Sequence, residues 1–197
     1  RIGSHTPEVL SQFVQNNYTA GNMAVVGLGV EHDSLVAKVK KMAVGAGASQ
    51  PQEAKYYGGE FRLDLPGPLT HAAIVTQGVG LGSSELLAVG VLQRVMGTGS
   101  YVKYGSNVSS SKVGRAAANG TKAPYAATCI NASYSDNGLF GFQVVAQASD
   151  VGEVLKSLVA TFSEATKGGI TDADVQRAKN QMRAAVAMVL ERGSSLL

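Results

Sequence analysis

Gly78-Val79-Gly80-Leu81-Gly82-Ser83 has the make-up of a phosphate cradle. Glycines between a strand and a helix let backbone N–H groups approach a pyrophosphate, with the positive end of the helix aimed at the charge. A dinucleotide fold then needs a second parallel strand ending in an acidic residue about 20 positions on. Here the helix runs instead into Gly97-Thr98-Gly99 and a Ser-rich stretch, and no Asp or Glu occurs between Glu85 and Asp136. The glycines are therefore read as a turn with close strand–helix packing, and no residue is assigned to a cofactor.

Metal chemistry finds equally little support. His5, His32 and His71 are isolated, and neither His-Glu-x-x-His nor its inverse His-x-x-Glu-His occurs. His71 reads as a packed or hydrogen-bonded side chain in a buried strand. A Gly-x-Ser-x-Gly elbow and a Gly-x4-Gly-Lys-Ser/Thr loop are absent from the sequence. The carboxylates have structural work to do. Asp150 with Glu153 forms a capping box, Thr171 with Asp174 caps another helix, and Asp172 joins that first turn. Glu60 and Asp64 sit on a solvated strand face around Arg62. Cys129 lacks a neighbouring His, Lys or Arg to hold a thiolate, so it is expected to be a buried strand residue. The Asn-x-Ser/Thr sequons at Asn17, Asn107, Asn119 and Asn131 are read as chance. The expected catalytic, cofactor-binding and metal-ligating sets are all empty.

The elements that would carry a site are clearer. Thr6-Pro7-Glu8 starts a helix whose apolar positions Leu10, Phe13, Val14 and Tyr18 predict one buried face. Met23–Val30 is apolar on both faces and reads as a central strand. Asp33–Ala43 resumes a helix. Val44–Lys55 has linker composition, and the domain boundary falls there. Glu60–Leu65 alternates like a half-solvated strand, Pro66-Gly67-Pro68 turns the chain, and Leu69–Gln77 is a second, more buried strand. Ser83 starts a helix through Met96, stopped by Gly97. Gly97–Pro124 is a long connection with a short helix near Lys112–Asn119, long enough to suggest binding. Tyr125–Tyr134 and Leu139–Gln147 make a hairpin around Asp136-Asn137-Gly138, where positive φ is expected. Two helices follow, with stripes Val151, Val154, Leu155, Leu158, Val159, Phe162 and Val175, Ala178, Met182, Ala185, Val189. Neighbouring strands followed by paired helices predict an α+β fold, with a mostly antiparallel sheet and helices packed on one face.

Composition narrows the partners. In 197 residues, 17 basic and 14 acidic side chains leave a net charge of +3. No run is denser than Lys38-Val39-Lys40-Lys41, so no nucleic-acid partner is expected. An apolar fraction of 45% against 16% charged argues against disorder. The longest apolar runs, Met23–Val30 and Ala184–Leu190, fall far short of the ~20 residues of a membrane helix. A single cysteine rules out an internal disulfide and fits a reducing compartment. The chain starts at Arg1 without Met, and it ends just past a helical pattern. It is expected to be a piece of a longer polypeptide.

Several stretches carry a resemblance: Phe13-Val14-Gln15-Asn16-Asn17-Tyr18-Thr19, Met23–Val30, Lys55-Tyr56-Tyr57-Gly58-Gly59-Glu60, Val102-Lys103-Tyr104-Gly105-Ser106-Asn107, and Asn131–Gly141. Together, over nearly the whole chain, they resemble the pitrilysin-like family of mitochondrial processing peptidases. Within it the likeness is to the non-peptidase core subunits of respiratory complex III, the cytochrome b-c1 complex. The resemblance implies two similarly folded halves. Residues 1–44 would be the closing helix–strand–helix of the N-terminal half, 45–57 the linker, and 58–197 the C-terminal half truncated before its last elements. It implies a non-catalytic structural role on the matrix side of the mitochondrial inner membrane. Core protein 1, cytochrome b, cytochrome c1 and the Rieske protein would be partners in a dimeric complex, with no haem, iron–sulfur or zinc ligand in this stretch. The alternative it leaves open is a processing-peptidase-type metalloendopeptidase or presequence-binding subunit. Gly97–Pro124 and the Lys38/Lys40/Lys41 edge are the expected subunit contacts.

Overall fold

Period-2 and period-3.6 apolar patterns set the main elements of the molecule. The computed structural model describes residues 3–42, 44–47, 52–99 and 111–193. Two compact units are present, Arg1–Glu53 with Ala187–Leu197, and Ala54–Val186.

In the first unit, α1 (Pro7–Asn17) begins as its sequence dictates: Thr6 Oγ1 accepts from Val9 N at 3.4 Å, and Pro7 fills the first turn. A single 3-10 turn at Ala20–Asn22 leads on to α2 (His32–Val39), shorter than the expected Asp33–Ala43 helix. The backbone at 45–47 returns beside Thr19, with Ala20 N donating to Gly45 O and Gly21 N to Gly47 O, both at 3.0 Å. Two expectations fail here. The apolar face of α1 is not buried, since Leu10, Phe13 and Val14 are all at least half exposed. Met23–Val30 carries no ladder and is exposed throughout. Its composition suits a central strand, but a central strand needs two hydrogen-bonded neighbours, and the described residues supply neither.

The second unit holds the sheet. Strands β1 (Leu69–Gln77), β2 (Ala126–Ser133) and β3 (Gly138–Gln147) lie in the order β1-β3-β2, antiparallel throughout. Register pairs Ile74 and Cys129 with Phe142, and Ala72 and Ala127 with Val144, so one face gathers the apolar set. Helices α3 (Leu86–Met96), α4 (Lys112–Gly120) and α5 (Val151–Thr166) cover that face. The core they close contains Met96, Val113, Ala116, Ala117, Cys129, Phe142, Val144, Ala146, Val154 and Leu158. Phe162 stacks across Phe142 at 4.9 Å between ring centroids. The α5 stripe is therefore buried as the spacing predicts, apart from Val159, which is half exposed. Helix α6 (Asp172–Leu190) follows a Gly168-Gly169 stop in which Gly168 takes φ +92° and Gly169 N bonds Glu164 O.

Glu60–Leu65 is not a strand in this unit. Despite its alternation it is unpaired, with Phe61 85% exposed. Alternation encodes which side chains would face inward, but only a neighbouring backbone makes a ladder. The long connection also differs from expectation. Its short helix is present as α4, but Val113 and Ala117 are completely buried in the core, so this part is not a free contact loop. The remainder, 100–110, with Asn107, lies outside the described residues.

Candidate functional site

The glycine-rich turn and the hairpin tip meet, and their geometry decides what the turn is for. A Cβ on Gly78 would stand 3.0 Å from the backbone of Leu139, and one on Gly80 would stand 2.8 Å from that of Asp136. A Cβ on Gly138 would fall 2.4 Å from Val79 O. The missing side chains let two backbones touch, which leaves no cradle between them. The N–H groups are engaged accordingly: Gly78 N donates to Gly138 O and Leu81 N to Tyr134 O, both at 2.8 Å. Ser83 Oγ accepts from Glu85 N at 3.1 Å, and Glu85 is the N-cap of α3 without a side-chain capping bond. The turn thus packs strand against hairpin rather than strand against helix. The positive φ expected at Asp136-Asn137-Gly138 is also absent, because the connection is four residues, Tyr134–Asn137, closed by Tyr134 N to Asn137 O. Gly138 is required for contact and not for conformation.

Asp174 is the most heavily engaged carboxylate among the described residues. Thr171 and Asp174 form the expected reciprocal cap, N–H to side-chain oxygen at 3.2 Å in both directions. Arg177 donates to the same carboxylate at 2.5 Å, and Lys112 Nζ stands 3.2 Å away while donating to Gly169 O at 2.8 Å. The Arg177 guanidinium, then the Thr171 N–H, hold the Asp174 carboxyl well below the usual carboxylate range. This knot ties the start of α4 to the α5–α6 turn. Its members lie about 60 positions apart in the chain, and no local pattern signals the pairing.

The Asp150–Glu153 capping box does not form. Asp150 adopts helical φ and ψ and makes no side-chain bond to the first turn of α5. It takes the Thr121 hydroxyl instead, and the Ser149 hydroxyl at 2.7 Å, and these donors lower its pKa in that order. Glu153 pairs with Lys156 at 2.6 Å on the exposed face. Long-range capture of Asp150 by Thr121, from the end of α4, outcompetes the local cap. Cys129 is 2% exposed, and burial pushes its thiol up to about 12. His71 stands exposed in β1, which corrects the expectation of a packed side chain; His5 and His32 are exposed as well. Asn17 is exposed and donates to Phe13 O at 2.8 Å. Asn119 lies in α4, and Asn131 lies in β2 with its Oδ1 buried and unpaired. Lys38 and Lys40 are exposed along α2 and its end, with Lys41 just beyond. No group of three or more His, Cys, Asp or Glu suited to a metal occurs among the described residues, and no described helix is long and apolar enough to cross a membrane. Asp150 and Asp174, with the donors gathered around them, hold helices and turns.

A family model described as the peptidase M16 inactive domain matches residues 4–182. Cytochrome b-c1 complex subunit 2 of Homo sapiens is 40% identical over 200 residues, covering all of this chain and 44% of that protein. The Mus musculus counterpart is 38% identical over the same shares of both chains. The mitochondrial-processing peptidase subunit beta of Lentinula edodes is 30% identical over 92% of this chain and 41% of that protein. This chain spans less than half the length of these relatives. Among solved structures, a chain of complex III2 from Candida albicans superposes with a TM-score of 0.72, at 21% identity, over 85% of this chain and 40% of its own length. A peptidase M16 inactive domain from Pseudomonas fluorescens gives 0.66, also at 21%, over 92% and 44%. At that identity the two structures establish the fold.

Proposed function

Because the chain belongs to the peptidase M16 inactive-domain family, we propose that it is part of a non-catalytic core subunit of ubiquinol–cytochrome c reductase, respiratory complex III. The observation that carries this reading is the 38–40% identity with mammalian cytochrome b-c1 complex subunit 2 along the whole chain. Its role is mechanical. It sits peripherally on the matrix side of the mitochondrial inner membrane and supports assembly of the electron-transfer complex. Its neighbours are core protein 1, cytochrome b, cytochrome c1 and the Rieske protein, within a dimeric complex. In this reading residues 1–44 close the N-terminal half of a longer protein, 45–57 join the halves, and 58–197 form most of the C-terminal half. The side chains fit such a role: Asp150 and Asp174 are held in structural bonds and Cys129 stays a thiol, so these three stabilise the fold.

A second reading, a processing-peptidase or presequence-binding subunit, draws on the 30% identity with a processing-peptidase beta subunit. One pair of experiments separates them. Loss of the full-length gene product should remove the complex III dimer from native gels and abolish ubiquinol–cytochrome c reductase activity. Normal assembly without it would refute the structural role. Cleavage of a mitochondrial presequence peptide by the purified full-length protein in the presence of zinc would establish the second reading instead.

A further inference from the structure

Ala54, at the start of the second unit, is held by its backbone alone. Its N–H donates to Asp136 Oδ2 at 2.6 Å, and its carbonyl accepts from Asn137 Nδ2 at 3.0 Å. Two consecutive side chains at the hairpin tip thus supply the donor and the acceptor that a neighbouring strand would otherwise give. The tip itself has little freedom. Asn137 Oδ1 accepts from Gly138 N at 2.7 Å, which fixes the amide so that its NH2 faces Ala54. Tyr134 N donates to Asn137 O, Leu81 N donates to Tyr134 O, and Gly80 packs its backbone on Asp136. Two residues beyond Ala54, the Tyr56 hydroxyl donates to Val75 O at 3.2 Å, on the side of β1 away from β3. Residues 54–64 then run beside β1 and leave between them a half-open groove of about 1180 Å³.

We propose that Asp136 and Asn137 form a latch that fixes where the chain enters the second unit, with Tyr56 as its outer brace. The hairpin tip has two tasks, to reverse the chain between β2 and β3 and to hold residues 54–56 as a strut beside the open edge of β1. Residues 54–56 therefore move with the sheet. The latch belongs to the fold of the second unit and stands whether or not the proposed role in complex III is correct.

Hydrogen exchange and limited trypsin digestion of the full-length protein test it. Asn137→Asp keeps the oxygen that serves Gly138 N and removes the donor to Ala54 O. Asp136→Ala removes the acceptor for Ala54 N. Each should raise exchange at Ala54 N–H and cleavage after Lys55 by about fivefold, as expected for one hydrogen bond lost from a local opening equilibrium. Cleavage after the already exposed Arg62 should be unchanged, and Asp136→Asn, which keeps an acceptor oxygen, should restore most of the protection. Unchanged exchange at Ala54 in both variants would overturn the proposal. So would a uniform rise at Ala54, Arg62 and the amides of β2 and β3, because the two side chains would then be stabilising the hairpin alone.

Discussion

Replacing Gly138 by Ala tests whether the glycines at the turn exist for backbone contact. Its new Cβ would stand 2.4 Å from Val79 O, 2.8 Å from Val79 N and 2.9 Å from Ala132 O, so backbone crowds it from two sides. Val79 cannot retreat cheaply, because it lies between the Gly78 N to Gly138 O and Leu81 N to Tyr134 O bonds. Opening the contact by about 1 Å costs ~1–3 kcal/mol of overpacking strain and weakens bonds worth about 1 kcal/mol each. Against this, alanine lowers the entropy of the unfolded chain by about 0.4–1 kcal/mol, since φ at 138 is not positive. The net expectation is a loss of about 2–3 kcal/mol, or roughly 5–10 °C in Tm for a chain of this size. Gly82→Ala is the control: nothing lies within 4 Å of its Cβ and its φ is ordinary, so it should be neutral or stabilising by about 0.5 kcal/mol. Urea unfolding followed by circular dichroism measures both. A Gly138→Ala midpoint no lower than that of wild type would refute the close-contact argument, and equal loss in both variants would point to a shared role for the glycines that packing does not explain.

Asp174→Asn should cost about 2 kcal/mol at pH 7, because it strips charge-assisted bonds from Arg177 and Lys112 at a side chain only 12% exposed. The folded carboxyl titrates below its unfolded value of about 3.9, so its contribution is complete above that pH and fades as the pH falls below it. The gap in urea midpoints between wild type and variant should therefore narrow steadily as the pH falls below about 4, and a constant gap would show that charge is not the cause. With its thiol raised to about 12, Cys129 should resist iodoacetamide at pH 8 in the native protein and react fully in 6 M guanidinium, as mass spectrometry would show; rapid native labelling would contradict its burial. Leu158→Ala, at a position with no exposed surface, should lose about 2–5 kcal/mol, whereas half-exposed Val159→Ala should lose under about 1 kcal/mol in the same denaturation assay.

Sequence pattern proved most informative where one element carries its own signal. The stripe of α5, the Thr6 and Thr171 caps, the Gly97 stop and the β2–β3 pairing are local, with periods set by helix and strand geometry. The glycine-rich turn was legible as a close-packing turn, although its partner is the hairpin tip and not a helix. Pattern misled where the outcome depends on a distant partner. Asp150 and Glu153 spell a capping box, yet Thr121 takes the aspartate from 29 positions away. Met23–Val30 and Glu60–Leu65 spell strands, but a strand is a relation between backbones, and spacing names only the side-chain faces. The Lys112–Asp174–Arg177 knot and the grip of Asp136 and Asn137 on Ala54 were invisible for the same reason. Gly138 was singled out correctly, but for the wrong property: a glycine can mark unusual φ or a missing side chain, and composition does not distinguish them.

Strand β1 has a consequence for handling the protein. Leu69–Gln77 contains no Lys, Arg, Asp, Glu or Pro. It also has no strand on its outer side among the described residues. Natural sheets guard such borders with charge, proline or a bulge, which frustrate intermolecular zippering. A preparation of these 197 residues should therefore self-associate as concentration rises, and a lysine in place of exposed Ala73 should raise the threshold for precipitation.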